Sequence, residues 1–339
     1  MDKIADAIMQ DARAIAHRVD LTPLLNRTVL VTGATGLIGT YVMAVLKAYG
    51  GCRSVYPVAT RAPSIASAAG VVCRGYRFIE SDLSQYSFTY PAQFDYGFFG
   101  AGYGQPKKFT DAPLRTLALN TTGLMSILEG MNQGGRLLFA STSEIYSGHT
   151  KPPFSEHEVG TTSPQHPRGC YIEAKRCGEA ICSAYNLENR RDKALAARIA
   201  LAYGPGTRPD DDRAINQFIR QAILDRKIVL KDAGQVIRNY CYIADTIELL
   251  FNIWLHGRYE VYNVGGKSKV TIAALARKIG ELCDVPVEVP GHTENIAAPD
   301  NVTLDMRQAE AEFLKSDYTP LEDGLRRTIS WQKILYGKV

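Results

Sequence analysis

The segment Thr32-Gly33-Ala34-Thr35-Gly36-Leu37-Ile38-Gly39 constrains this chain more than any other. It follows an apolar run, Thr28 to Val31, and opens an apolar-periodic stretch that reads as a helix from Leu37 to Tyr49. Glycines are needed at such a junction for separate reasons. One permits the sharp turn, one lets backbone approach a pyrophosphate, and one lets the helix pack closely on the strand. The free N–H groups of the first helical turn then face an anion. A glycine triplet alone is an ordinary tight turn. Between a buried strand and an amphipathic helix it predicts a dinucleotide cradle. Gly33, Thr35, Gly36, Leu37, Ile38 and Gly39 are the candidate cofactor-binding residues.

The pattern around the turn repeats. Val55 to Ala59, Tyr76 to Ile79, Tyr96 to Gly100, Arg136 to Ala140 and Leu195 to Ile199 read as further strands. Helical patterns lie between several of them, at residues 111–131 and 170–190. Strand-helix alternation implies an α/β fold, a doubly wound Rossmann-type parallel sheet covered on both faces. After Tyr203-Gly204-Pro205-Gly206 the segments shorten, with helices near 213–226, 244–256 and 271–283. The expected organisation is a helical extension at 1–26, a dinucleotide-binding domain at 27–205, and a smaller α/β substrate lobe over 206–339 with crossovers between the two. Ile4, Ile8, Ile15 and Val19 fall on one stripe, so residues 1–20 read as an amphipathic helix docked on the body.

Composition narrows the partners. A formal charge of +4 over 339 residues is too mild to imply nucleic acid or an anionic membrane, and suits a small anionic substrate. No apolar run approaches the ~20 residues of a membrane span. Asp2, Asp6 and Asp11 interrupt the start of the chain, which does not read as a signal peptide. Seven scattered cysteines and six dispersed histidines show neither disulfide framework nor metal-ligand spacing, so reduced thiols in a cytoplasm are expected.

Tyr171-Ile172-Glu173-Ala174-Lys175 lies in a helical stretch, which places Tyr171 and Lys175 one turn apart on one face. An ammonium beside a phenol favours the phenolate, so the spacing predicts a tyrosine able to act as a base nearer neutral pH. Upstream, Ser141-Thr142-Ser143-Glu144-Ile145-Tyr146 ends the strand Leu137 to Ala140 and offers hydroxyls at its tip.

Together these motifs resemble the extended short-chain dehydrogenase/reductase family, over nearly the whole chain after residue 27. The Gly-x-x-Gly-x-x-Gly spacing is that family's. Later segments resemble its nucleotide-sugar branch: Arg198 with Tyr203-Gly204-Pro205, the run Arg238 to Asp245, and Tyr262-Asn263-Val264-Gly265-Gly266. The resemblance implies Thr142, Tyr171 and Lys175 as the catalytic set, Asn120 as a structural helix residue beneath it, and Asp82 with Leu83 beside the adenine. It implies NAD as cofactor, a nucleotide-sugar substrate with Arg238 on its diphosphate, and a homodimer formed through residues 111–131 and 170–190. Ile172, Ile181 and Leu124 are either interface or core. Asp82 has a strand-end cap as its competing role. The second strand ends Ala59-Thr60-Arg61 without the acid that holds an NAD ribose. Arg61 either meets a 2′-phosphate, favouring NADP, or is a solvated loop residue.

In this branch the sugar is oxidised at C4, the ketone acidifies C5, and hydride returns. Thr142-Ser143-Glu144 with Cys170-Tyr171-x-Glu173-x-Lys175-Arg176 is most similar to UDP-glucuronate decarboxylases. Glu144 also suits 4,6-dehydratases, whose Asp is Ser143 here, making Ser143 a substrate-side candidate. Glu144 is an acid or base at C5, or a solvated loop carboxylate. A 4-epimerase is the alternative, and a net NADPH-consuming reductase a further one. A non-catalytic nucleotide-binding protein is the alternative of another class, and predicts damage to Thr142, Tyr171 or Lys175. There are departures from the family pattern. Leu201 replaces a diphosphate-binding Asn, and Ile296 to Asp300 lacks a late Arg. Lys107, Lys108, Arg208 and Arg213 are candidates to compensate.

Overall fold

The computed structural model describes residues 3–85, 88, 92–291 and 301–338. Its centre is a seven-stranded parallel sheet. The strands are β1 (Thr28–Thr32), β2 (Ser54–Ala59), β3 (Ile79–Glu80), β4 (Phe94–Phe99), β5 (Met131–Thr142), β6 (Lys193–Ile199) and, from much later in the chain, β10 (Val261–Val264). Their order is β10-β6-β5-β4-β1-β2-β3. Chain direction across the sheet reverses between β1 and β4, and the crevice outside their carboxyl ends is where such folds bind ligands. β1 is buried along its whole length, as a strand covered on both faces must be.

The helices on the sheet are α2 (Leu37–Tyr49), α3 (Ala68–Cys73), α4 (Pro106–Asp111), α5 (Pro113–Asn120), α6 (Thr122–Leu128), α7 (Gly169–Glu188) and α9 (Ile243–His256). The helical pattern expected as one element over 111–131 is two helices, α5 and α6, with α4 ending at Asp111 and β5 beginning at Met131. Pro113 bars the helical conformation at Ala112, whose ψ is 62°, and Thr121 departs from it with φ −113° and ψ −83°. The strand expected at Tyr76 to Ile79 shrinks to two edge residues, Ile79 and Glu80.

The second lobe centres on β9 (Ile237–Tyr242). β7 (Leu201–Tyr203) and β13 (Asn301–Val302) pair with it in parallel, and β11 (Ser268–Thr271) pairs antiparallel. β8 (Ile228–Val229) and β12 (Val287–Glu288) form a separate pair. α8 (Ala214–Leu224), α10 (Ile272–Cys283), α11 (Arg307–Phe313) and α12 (Leu321–Leu335) complete it. Two pieces of the late sequence return to the large sheet. β10 pairs with β6, and α9, apolar on nearly all sides, is buried beneath it.

The N-terminal helix α1 (Lys3–Arg18) buries Ala5, Ile8, Ala12 and Ile15, as its stripe predicts. It spans both lobes. Buried Asp11 accepts hydrogen bonds from Tyr41 of α2 at 3.2 Å and Tyr242 of β9 at 2.8 Å. Trp331 of α12 donates to the Ile4 carbonyl at 2.7 Å. No helix among the described residues is long and apolar enough to cross a membrane.

Candidate active site

The glycine turn sits at the crevice between β1 and β4. Gly33 adopts φ +68°, and a Cβ there would lie 2.3 Å from the Gly100 carbonyl oxygen at the end of β4. A Cβ on Gly39 would lie 2.1 Å from the Gly33 oxygen. Side chains are therefore excluded where the turn meets the sheet and the helix. Gly36 has only the Gly33 oxygen at 3.4 Å and opens outward. This is a cradle shaped for a dinucleotide, with the first turn of α2 behind it. Thr35, Leu37 and Ile38 line the same turn. Further along the crevice, Leu83 is buried. Asp82 accepts hydrogen bonds from Ser84 and pairs with Arg115 at 2.5 Å, so it is both cap and ion-pair partner. Arg61 is exposed just beyond β2.

The end of β5 and the start of α7 bring the hydroxyl, phenol and ammonium together. Thr142 closes β5, and its side-chain oxygen accepts from the Glu144 N–H at 3.3 Å. The Thr142 hydroxyl acts on the Tyr171 phenol in the direction that favours its ionised form. One turn on, Lys175 Nζ donates to the Ala140 carbonyl at 2.6 Å and lies 4.6 Å from the Phe139 ring centre. The expected lowering of the Tyr171 hydroxyl by Lys175 is not what this structure holds. Burial pushes the phenol up to about 12, against the opposing effect of Thr142. Burial pulls Lys175 down to about 7, against the Glu179 carboxylate. One cause moves both: a dry pocket disfavours phenolate and ammonium alike.

Beside this set, Glu144 is not a solvated loop carboxylate. Arg168 grips it with two bonds, 3.0 and 2.6 Å, and each side chain is about a quarter exposed (24% and 23%). The guanidinium of Arg168 also lies 5.5 Å from the ring of Phe109, which stacks parallel on Tyr171 at 4.5 Å. Arg168 and Phe109 belong to the site although neither stood out in the sequence. Ser143 is half-buried next to Glu144.

On the far side, Arg213 forms a bidentate pair with Asp211 and acts electrostatically on both Tyr171 and Tyr240. Arg238 acts on Tyr240 too, and donates to the Ile237 carbonyl at 2.9 Å. Leu201 is paired with Tyr240 in the small sheet. Arg213, Tyr240 and Arg238 thus lead from Tyr171 toward the second lobe. Asn120 donates to the Thr116 carbonyl at 2.8 Å within α5, while its Oδ1 is buried without a partner. The stretch Ile296 to Asp300 lies outside the described residues.

A parallel sheet with a glycine turn at its switch point and a Thr-Tyr-Lys set above it defines a short-chain dehydrogenase/reductase type of protein. The chain belongs to the NAD dependent epimerase/dehydratase family, whose model matches residues 29–265. It is 31% identical to UDP-glucuronic acid decarboxylase 1 of Xenopus tropicalis over 232 residues, 68% of this chain and 55% of that protein. The chain thus spans about half the length of the curated relatives it matches. An epimerase from Methanothermobacter thermautotrophicus has the same fold, with TM-score 0.78 at 21% identity, covering 98% of this chain and 97% of that one. A UDP-glucuronic acid 4-epimerase from Bacillus cereus, solved with UDP-glucuronic acid and NAD, gives 0.76 at 21% identity, covering 91% and 100%.

Proposed function

We propose that this chain is an NAD-dependent enzyme acting on the sugar of a nucleotide-sugar, and that it decarboxylates a nucleotide-linked hexuronate through a 4-keto intermediate. The observation that carries the reading is the Glu144–Arg168 pair beside the Thr142–Tyr171 pair. Tyr171, in its phenolate form, removes the proton of the C4 hydroxyl as hydride leaves C4, with Thr142 hydrogen-bonded to the same oxygen. NAD held in the cradle of Gly33, Gly36 and Gly39 would supply the hydride acceptor at C4 and the source of its return. A uronate carboxylate takes the Glu144 position on Arg168, a fork suited to a planar carboxylate. The C5–C6 bond then breaks, its electron pair moves toward the C4 ketone, and carbon dioxide leaves. Glu144, released from Arg168, takes up a proton from solvent and delivers it to C5, so one proton is consumed for each carbon dioxide that leaves. Hydride returns to C4, Tyr171 returns the proton to oxygen, and there is no net redox change. The Thr-Ser-Glu and Cys-Tyr motifs and the names of the curated relatives support this choice.

A 4-epimerase is the second reading, and one observation favours it. Glu144 is held away from solvent by two bonds, and C4 epimerisation asks nothing of it. Mass spectrometry after incubation with UDP-glucuronate and with neutral UDP-, dTDP-, GDP- and CDP-hexoses, NAD present, separates the readings. Loss of carbon dioxide from the uronate is expected. An isomer of unchanged mass means an epimerase, loss of water from a neutral hexose a dehydratase, and no change across the panel a non-catalytic protein. Decarboxylation is excluded if UDP-glucuronate stays intact while a neutral hexose is converted.

The protein is further proposed to dimerise. Ile172 and Leu124 are fully buried within the chain, so they are core. Cys177, Ala180, Ala184 and Leu187 instead form an exposed stripe along α7, and Leu114 of α5 is exposed as well. A monomeric sedimentation coefficient for the wild type counts against this face. All seven cysteines are free, which suits a reducing compartment such as the cytoplasm.

A further inference from the structure

The segment after β7 crosses the glycine turn from the second lobe. Gly206 adopts φ +98°, and a Cβ there would meet Leu37, the first residue of α2, at 3.3 Å. Two residues on, Arg208 Nη2 donates to Thr35 Oγ1 at 3.1 Å and to the Thr35 carbonyl at 3.4 Å. Thr35 lies between Gly33 and Gly36, in the part of the turn that shapes the anion cradle. The chain brings these partners together across 173 positions.

The charges of this strap are otherwise compensated one for one. Asp210 pairs with Lys108 at 3.3 Å, Asp211 with Arg213 at 2.5 Å, and Asp212 with Arg220 at 3.1 Å. Arg208 alone among these four cations bonds only to neutral oxygens. A guanidinium is a five-donor group suited to phosphate. Here its two contacts are neutral ones, and the neighbouring turn, residues 32–39, offers backbone N–H groups and holds no Lys or Arg. A diphosphate in that cradle would meet α2 from below and Arg208 from above.

We infer that Arg208 is a ligand for the cofactor diphosphate, contributed by the second lobe to a cradle otherwise made of backbone. This rests on the NAD-binding reading above. The exchange is simple: Arg208 gives up Thr35 and takes a charged oxygen, a stronger bond than the one it leaves. Because the strap belongs to the second lobe, cofactor and lobe position become coupled. NAD bound under Arg208 holds the strap down, and Lys108 on α4 secures it at Asp210.

The test is calorimetric titration of NAD and ADP-ribose into cofactor-free wild type, Arg208→Ala and Arg208→Lys at several salt concentrations. Arg208→Ala is expected to weaken both ligands by roughly tenfold or more, and Arg208→Lys to recover part of the loss. The salt dependence of binding should become shallower in Arg208→Ala, because one ion pair is gone. The unfolding midpoint of the cofactor-free variant should match wild type, since the side chain is exposed and bonds only to Thr35. Unchanged affinity in Arg208→Ala overturns the inference. Weaker binding with an unchanged salt slope overturns it too, as Arg208 would then be only a latch on a neutral oxygen. Failure of the wild type to bind either ligand would instead remove the NAD-binding reading, and the inference with it.

Discussion

On the cofactor side of the cleft the working parts are backbone. Gly33, Gly36 and Gly39 lie three positions apart, and their geometry is complete within one turn and the start of one helix. On the substrate side the parts are paired charges from distant segments. Glu144 and Arg168, for example, are 24 positions apart. A backbone cradle exists before its ligand arrives. A site made of ion pairs must break one to admit an anion, and only a ligand that replaces the lost partner offsets that cost. The first side therefore suits a cofactor common to a family, and the second discriminates among substrates.

The largest effect belongs to the residue between the two sides. Tyr171→Phe removes the hydroxyl that carries the C4 proton and should lower turnover by about 10³-fold or more. Its ring packing on Phe109 is kept, so NAD affinity measured calorimetrically should stay within about twofold of wild type. A collapse of NAD affinity in this variant would show that the two sides are not separable. Arg168→Met should act next most strongly, on the substrate side alone. The kcat/KM for a uronate should fall by about 10- to 100-fold, more than for any neutral hexose, because a charge-assisted fork is lost. NAD affinity should not move. Equal losses for charged and neutral sugars would make Arg168 a support for Glu144 and not a carboxylate site.

The same contrast explains what was legible in the sequence. The glycine turn and α2 appear where the pattern puts them, Leu37 to Tyr49 included, because local spacing alone dictates them. The placing of Tyr171 and Lys175 on one helix face was legible as short-range geometry, while Thr142 was singled out from the hydroxyls at the strand end by the family resemblance. The Arg168 grip on Glu144 was not. It depends on how the irregular segment between residues 147 and 168 returns the chain, which no periodicity encodes. Phe109 was hidden in the same way, since its partner Tyr171 lies on another helix. The split of the helical region at 111–131 was partly visible, since Pro113 is a known breaker. The return of Val261–Val264 to the large sheet was not visible, because a four-residue strand carries no address.

Lys175 offers the smallest effect and the sharpest view of the pocket joining the two sides. Its ammonium is buried, and in the folded protein it releases its proton near pH 7, against 10.5 for an ordinary lysine. The unfolded chain therefore binds one more proton than the folded chain between those values. Stability must rise with pH across that window and lose this contribution as pH falls toward 7, with a slope of at most ~1.4 kcal/mol per pH unit. Urea unfolding of the cofactor-free protein at pH 7.5 and 9.5 measures it, with Lys175→Met as reference. The variant keeps every other titrating group, so those contributions cancel in the difference. Wild type should gain on Lys175→Met by about 1 kcal/mol or more over the interval. A difference that stays flat would mean that Lys175 keeps its proton because water reaches it. The dry boundary between a backbone-built cofactor side and a charge-built substrate side would then not exist, and the same water would relieve the burial that holds the Tyr171 hydroxyl up.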